Sequence, residues 1–236
     1  MLIKGLQKTT AVDFPGKVAC IVFTAGCNLL CSYCHNPDLV NNFKDLPALD
    51  EDDFFDFLEE RKDWLDGVVI CGGEPTIHPD LPQFMKRIKD AGFLVKLDTN
   101  GMNPQMIRRI IDEDLVDYIA MDIKAPLGKY PLIVGKKIDS EKIAQSVKII
   151  IDAGKTGKFD YEFRTTVVPG LLDQDDIEQI AVLIKGAKKY VIQQFRNDVV
   201  LDASLKDRES YPKSTLQKFK KHIAQYLSCV EIRNAG

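Results

Sequence analysis

The sequence predicts an α/β fold, a partial (β/α)6 TIM-like barrel. Three observations predict it. Short apolar runs lack the two-residue alternation of half-exposed strands, so they read as strands buried on both faces. Amphipathic stretches separate them, the order that gives parallel strands and crossover helices. Six or so such units fall short of the eight that close a full barrel, so the expected barrel is open.

The strands come in order. Val18–Phe23 lies in "KVACIVF", followed by Val68–Cys71, Phe93–Leu97 and Tyr118–Met121. "YEFRTTVV" from Tyr161 alternates more, with Phe163, Thr165 and Val167 on one side. Tyr190–Ile192 follows, and "CVEI" near the C-terminus is a candidate last strand. Between them, "DEDDFFDFLEERKDWL" spaces Phe54, Phe57, Leu58, Arg61 and Leu65 helically behind an acidic first turn. "NPQMIRRII" offers Asn103 as N-cap and Pro104 at the first helical position. "SEKIAQSVKIIIDAG" carries an apolar stripe and stops at Gly154, "QDDIEQIAVLIKG" follows Asp173 as cap, and "KSTLQKFKKHIAQYL" ends the series with a solvated lysine face. The chain reads as one domain over 1–236, with a lead-in over 1–17 and a barrel core over 18–232.

Composition sets limits. The 236 residues are 45% hydrophobic and 28% charged, ordinary for a globular chain able to bury a sizeable core. A net charge of −3 argues against a broad nucleic-acid interface. "MLIKGLQKTT" lacks a signal-peptide apolar core, and no apolar run is long enough to span a bilayer. The expected location is cytoplasmic, with no membrane partner. Six cysteines in a reducing compartment point to metal or redox chemistry rather than disulfides. Cys20, Cys71 and Cys229 read as buried small hydrophobes.

Every expected parallel strand delivers polar or glycine residues at its carboxyl end. They are Gly72-Gly73-Glu74-Pro75-Thr76, Asp98-Thr99-Asn100-Gly101, Asp122-Ile123-Lys124, Arg164 with "VVPG", and Gln193-Gln194-Phe195-Arg196. The first strand runs into "AGCNLLCSYCHNP", with Cys27, Cys31 and Cys34 spaced C-x3-C-x2-C. In barrel-type folds that rim carries the active site.

Three readings compete for the cysteine loop. A structural zinc would take Cys27, Cys31, Cys34 and His35, but neighbouring Cys34 and His35 chelate one ion only with strain. Cys31 to His35 formally matches the C-x-x-C-H of c-type haem, which leaves Cys27 unexplained. A [4Fe–4S] cluster on three thiolates leaves one iron open, the arrangement of a catalytic centre.

The C-x3-C-x2-C spacing after a first strand, with Tyr33 before the last cysteine, resembles the signature of the radical S-adenosylmethionine (SAM) superfamily. Gly72-Gly73-Glu74-Pro75 resembles that superfamily's "GGE" stretch. "TAVDFPGKVACIVFTAGCNLLCSYCHNP", "DTNG", "MDIK" and "RTTVVPG" narrow the likeness to activating enzymes of glycyl-radical enzymes, most of all those of anaerobic ribonucleoside-triphosphate reductase in their long, full-barrel form. The likeness covers nearly the whole chain. It implies one [4Fe–4S] cluster on Cys27, Cys31 and Cys34, with SAM chelating the open iron and yielding a 5′-deoxyadenosyl radical that takes a hydrogen atom from a glycine Cα of a partner enzyme. It implies SAM contacts from Tyr33, Gly72, Gly73, Glu74, Thr99, Asn100, Asp122, Lys124, Arg164 and Gln194, and a monovalent cation beside Asp98. Asp13 is a candidate seat for the partner's glycine loop, and flavodoxin or ferredoxin a candidate electron donor. Pyruvate formate-lyase or another glycyl-radical enzyme is an alternative partner. A small-molecule enzyme resembling 7-carboxy-7-deazaguanine synthase is an alternative function, and a metal-stabilised binding module a third.

Overall fold

The computed structural model describes residues 1–234. Eight strands form one sheet in the order β1 to β8: β1 (Ile3–Thr10), β2 (Ala19–Thr24), β3 (Gly67–Gly72), β4 (Leu94–Thr99), β5 (Tyr118–Asp122), β6 (Asp160–Val167), β7 (Tyr190–Gln194) and β8 (Val230–Arg233). β2 to β8 are parallel. All six expected strands are present, and "CVEI" contributes a seventh parallel one. The lead-in departs from expectation: β1 pairs antiparallel with β2, from Ile3 opposite Thr24 to Thr10 opposite Ala19. Its pattern is hard to read because Gly5 and the exposed Gln7–Thr9 stretch dilute the apolar signal.

Among the described residues eight α-helices accompany the strands: α1 (Pro37–Asn41), α2 (Glu51–Glu60), α3 (Leu81–Asp90), α4 (Pro104–Asp112), α5 (Tyr130–Ile133), α6 (Glu141–Gly154), α7 (Gln174–Leu183) and α8 (Lys213–Ile223). Both expected caps work as caps: Asn103 accepts from the Met106 amide, and Asp173 forms a reciprocal capping box with Asp176. The structure adds Asp50, which accepts from the Asp52 amide. Such caps are each worth about 1 kcal/mol. α3 is an addition to the expected set, although Leu81, Phe84, Met85 and Ile88 form its buried stripe.

Strand parity separates two interiors. Odd-numbered β6 residues Phe163 and Val167 face the helices, in a core that includes Ile107, Ile110, Ile143 and Ile180. The opposite parity faces the barrel axis. There Phe14, Ala19, Ile21, Val69, Tyr118 and Ala120 form an apolar plug toward the strands' amino ends. Closer to the carboxyl ends the same parity brings in Cys71, Asp98, Asp122, Arg164, Thr166 and Gln193. The inner wall is therefore apolar at its base and charged at its mouth.

Candidate active site

The cysteine loop leaves the carboxyl end of β2 and is pinned from several sides. The Leu30 amide donates to the Val134 carbonyl at 2.9 Å, and the Asp202 amide to the Ser32 carbonyl at 2.8 Å. Lys136 Nζ reaches the Asn28 carbonyl at 3.3 Å. His35 Nδ1 donates to the Val199 carbonyl at 2.9 Å, and His78 Nε2 to the Ala25 carbonyl at 2.9 Å. His35 thus ties the cysteine loop to the segment around Val199. Nothing in the spacing of His78 marked it for its clamp.

Cys27, Cys31 and Cys34 line one cavity with Tyr33, Gly72, Gly73, Glu74, Asp98, Thr99, Asn100, Asp122, Lys124 and Arg164. Nine dispersed positions from β3, β4, β5 and β6, with Tyr33 of the loop itself, are thereby gathered around three thiols. A larger groove lies outside the barrel between α4 and α6, but no such set of functional groups converges there.

The glycines make this gathering possible. Gly72 has φ +120°, and a side chain on it would meet the Thr24 backbone. A Cβ on Gly73 would stand 1.8 Å from the Gly26 carbonyl oxygen. This close approach lets the Glu74 amide donate to the Gly26 carbonyl at 2.8 Å, which locks the GGE stretch onto the cysteine loop.

Glu74 is 1% exposed and fully engaged on one side. Its Oε1 accepts from the Thr76 amide (3.1 Å), the Thr76 hydroxyl (2.5 Å) and the Thr99 hydroxyl (2.7 Å). Its Oε2 accepts from the Asn100 amide at 2.6 Å. Burial pushes the carboxyl above its ordinary range, and these donors oppose the shift. Oε2 has one donor and keeps acceptor capacity for a further one. Thr99 therefore orients Glu74.

Beneath the rim runs a chain of alternating charge. Lys96 Nζ bonds Asp98 Oδ1, and Arg164 Nη1 donates to Asp98 Oδ2 at 3.1 Å. Arg164 Nε donates to Asp122 Oδ1 at 3.0 Å, and Lys124 Nζ to Asp122 Oδ2 at 3.1 Å. Burial raises the Asp122 carboxyl, but Arg164 and Lys124 outweigh it and hold it at about 2. Asp98 is likewise lowered, with Arg164 and Lys96 outweighing burial. Burial disfavours the Lys124 ammonium, yet Asp122 drives its pKa well above the ordinary value, with Tyr33 and Cys31 also contributing.

Two named residues lie elsewhere. The Gln194 amide donates to the Tyr211 carbonyl at 2.8 Å; its neighbour Gln193 lines the cavity instead. Parity decides this, since adjacent strand residues face opposite sides. Asp13 accepts from the Thr10 hydroxyl at 2.5 Å, in the turn between β1 and β2. Because Thr10 pairs with Ala19, that turn sits at the amino end of β2, opposite the cysteine loop. Asn36, Cys71 and Thr166 line the cavity without having been named as site residues, and Gln193, offered only as a polar strand end, lines it too. For Cys71, Thr166 and Gln193 the usable signal is shared parity with Asp98, Asp122 and Arg164.

The residues fit a cluster and a polar cosubstrate. Amides converge on the sulfurs: Leu29 N on Cys27 Sγ at 3.4 Å, Asn36 N on Cys34 Sγ at 3.4 Å, and Asn100 Nδ2 on Cys27 Sγ at 3.8 Å. Such donors offset thiolate charge and tune cluster potential. Without a bound metal, burial pushes the Cys27 thiol up to about 12, helped by the Glu74 charge, and burial also raises Cys31. The Tyr33 hydroxyl is buried at the cavity wall with no hydrogen-bond partner among the described residues.

A three-thiol loop after the first parallel strand of an open barrel, facing a glycine-cradled carboxylate, defines a class of metallocluster enzyme. The profile of the Radical SAM superfamily matches residues 21–184. The chain is 35% identical over 98% of its length, and 95% of the relative's, to a Methanocaldococcus jannaschii protein named "Putative glycyl-radical enzyme activating enzyme". It is 28% identical to the pyruvate formate-lyase-activating enzyme of Clostridium pasteurianum, over 95% of this chain and 98% of that one. The chain belongs to the Radical SAM superfamily, and within it to the family of glycyl-radical enzyme activating enzymes.

Solved structures share the fold. A radical SAM methyltransferase from Sphaerobacter thermophilus superposes with a TM-score of 0.68 at 18% identity, over 94% of this chain and 68% of that one. Streptococcus suis SuiB gives 0.66 at 14% identity over 89% of this chain, which spans about half (48%) of the SuiB chain. Among the described residues no helix is long and apolar enough to cross a membrane.

Proposed function

We propose that this enzyme activates a partner glycyl-radical enzyme, removing one hydrogen atom from a glycine Cα of that partner. The observation that carries the reading is the convergence of Cys27, Cys31 and Cys34 with the Gly73–Glu74 cradle and the Asp122–Lys124–Arg164 charges on one cavity. The names of the full-length relatives support the substrate class.

When bound, the cluster supplies the electron that cleaves SAM, and SAM supplies the hydrogen-abstracting group. The chain's own groups hold and shield them. The three thiolates hold the cluster. Glu74 Oε2 takes the SAM ammonium as a charge-assisted acceptor, with Thr99 and Asn100 holding the carboxylate in register. Lys124 and Arg164 attract the SAM carboxylate, and Asp122 bonds ribose hydroxyls. Gln193 takes the nucleoside-side role expected of Gln194, because it lines the cavity. Tyr33 stands at the wall with a free hydroxyl.

The partner read from the motifs is anaerobic ribonucleoside-triphosphate reductase. A second partner, pyruvate formate-lyase, is favoured by the near full-length C. pasteurianum relative. A flavodoxin or ferredoxin serves as one-electron donor, and the enzyme works in the cytoplasm. The test is to mix the anaerobically reconstituted enzyme with each purified partner, SAM and reductant. A glycyl-radical doublet in the electron paramagnetic resonance (EPR) spectrum of one mixture assigns the partner. 5′-Deoxyadenosine formed with small-molecule substrates and no protein radical would instead select the small-molecule reading.

A further inference from the structure

The alternating charge chain ends on an unexpected residue. Lys96 lies in the apolar run "FLVKL", yet it is 1% exposed and points into the barrel. It shares its level with Val69 and Tyr118, its register partners on β3 and β5. Its ammonium lies 5.9 Å from the Tyr118 ring centroid and bonds Asp98 Oδ1. The second Asp98 oxygen is held by Arg164. Both oxygens of the carboxylate expected to hold a monovalent cation already face protein cations.

The charge balance points the same way. Lys96, Arg164 and Lys124 contribute three positive charges along the chain, against Asp98 and Asp122. With Glu74, the third carboxylate of the cavity, the protein's own charges balance. A further metal cation at Asp98 would upset that balance and stand beside Lys96 and Arg164, where water is largely excluded and like-charge repulsion is strong. A buried lysine without a task is also costly, since burying an ammonium disfavours it unless it is paired.

We infer that the Lys96 ammonium is the built-in cation of the SAM site, filling the place beside Asp98 that an alkali-metal ion would otherwise take. SAM binding in this enzyme is therefore independent of sodium and potassium. The inference rests on the SAM-binding reading of the cavity. Lys96 acts as a positioning residue: it fixes Asp98, which with Asp122 fixes the Arg164 guanidinium.

The test is SAM affinity of the anaerobically reconstituted enzyme, measured by equilibrium dialysis in tetramethylammonium, sodium or potassium chloride at one ionic strength. The native Kd is expected to agree within about twofold in the three salts, whereas an alkali-metal ion coupled to SAM would tighten it by about fivefold or more. That tightening would overturn the inference. Lys96→Met, which keeps the stem and removes the charge, is expected to bind SAM about tenfold more weakly in tetramethylammonium, with sodium or potassium restoring most of the loss. A folded Lys96→Met enzyme with native affinity in tetramethylammonium would also overturn it. If Lys96→Met fails to fold, the native comparison still decides, together with Lys96→Arg, which keeps the charge and is expected to stay insensitive to the salt cation. Loss of SAM binding by the native enzyme in every salt would instead refute the SAM-site reading beneath it.

Discussion

Gly73→Ala perturbs the joint between the GGE stretch and the cysteine loop. The new Cβ would sit 1.8 Å from the Gly26 oxygen and 2.5 Å from its carbonyl carbon. Both are backbone atoms, so a side-chain rotation cannot relieve the contact. Overpacking of this kind costs about 1–3 kcal/mol. Separating the strands also weakens the Glu74 N–Gly26 O hydrogen bond, a loss of about 1 kcal/mol. Alanine offsets about 0.4–1 kcal/mol by restricting the unfolded chain. The net is a destabilisation of about 2 kcal/mol. With a urea slope of about 3 kcal/mol/M, the midpoint falls by about 0.7 M. SAM affinity should fall as well, because Glu74 moves with the joint. Gly128→Ala is the control: nothing lies within 4 Å of its Cβ position. It should be neutral or slightly stabilising by the same assay. Equal urea midpoints and equal SAM affinity for Gly73→Ala and the native protein would refute the argument that this close approach builds the site.

Three further outcomes are expected. Arg233→Ala removes the guanidinium that grips Glu162, fully buried, through two 2.6 Å bonds, and should cost about 3 kcal/mol in denaturant melts. Asn100→Ala deletes the amide near Cys27 Sγ and should shift the cluster potential to a more negative value in an EPR-monitored redox titration, since hydrogen bonds to sulfur favour the reduced state. Asp122 has a folded-state pKa of about 2 against an ordinary 3.8, so its charged form stabilises the fold above the ordinary value. That contribution of about 2 kcal/mol should be lost as pH falls from about 4 to about 2, and Asp122→Asn should flatten the stability profile in that window.

Much of this architecture is legible in the chain. Asn103 and Asp173 mark helix starts because a side-chain oxygen placed before a helical stripe satisfies free amides locally. The polar strand ends are legible for a similar reason, since a parallel strand buried on both faces turns polar only at its mouth. The remainder depends on tertiary facts. Gln193 and Gln194 differ only in parity, which the short run "YVI" does not reveal. Lys96 is hidden within apolar neighbours, and its partner Asp98 becomes evident only when the barrel axis is defined. Asp13 follows the direction of β1, and that strand's diluted pattern leaves the direction open. The glycine cradle is visible as "GGE", but its contact with Gly26 requires two distant segments to meet.

The proposed function requires three thiols and this charged rim to form one SAM-cleaving site that acts on a partner protein. The most direct measurement is EPR spectroscopy of the reconstituted enzyme mixed anaerobically with purified anaerobic ribonucleoside-triphosphate reductase or pyruvate formate-lyase, with 5′-deoxyadenosine quantified in the same sample. A glycyl-radical doublet with one partner and 5′-deoxyadenosine in matching amount are expected, both abolished by Cys31→Ala. An intact cluster that yields neither radical nor 5′-deoxyadenosine with either partner would contradict the proposed function.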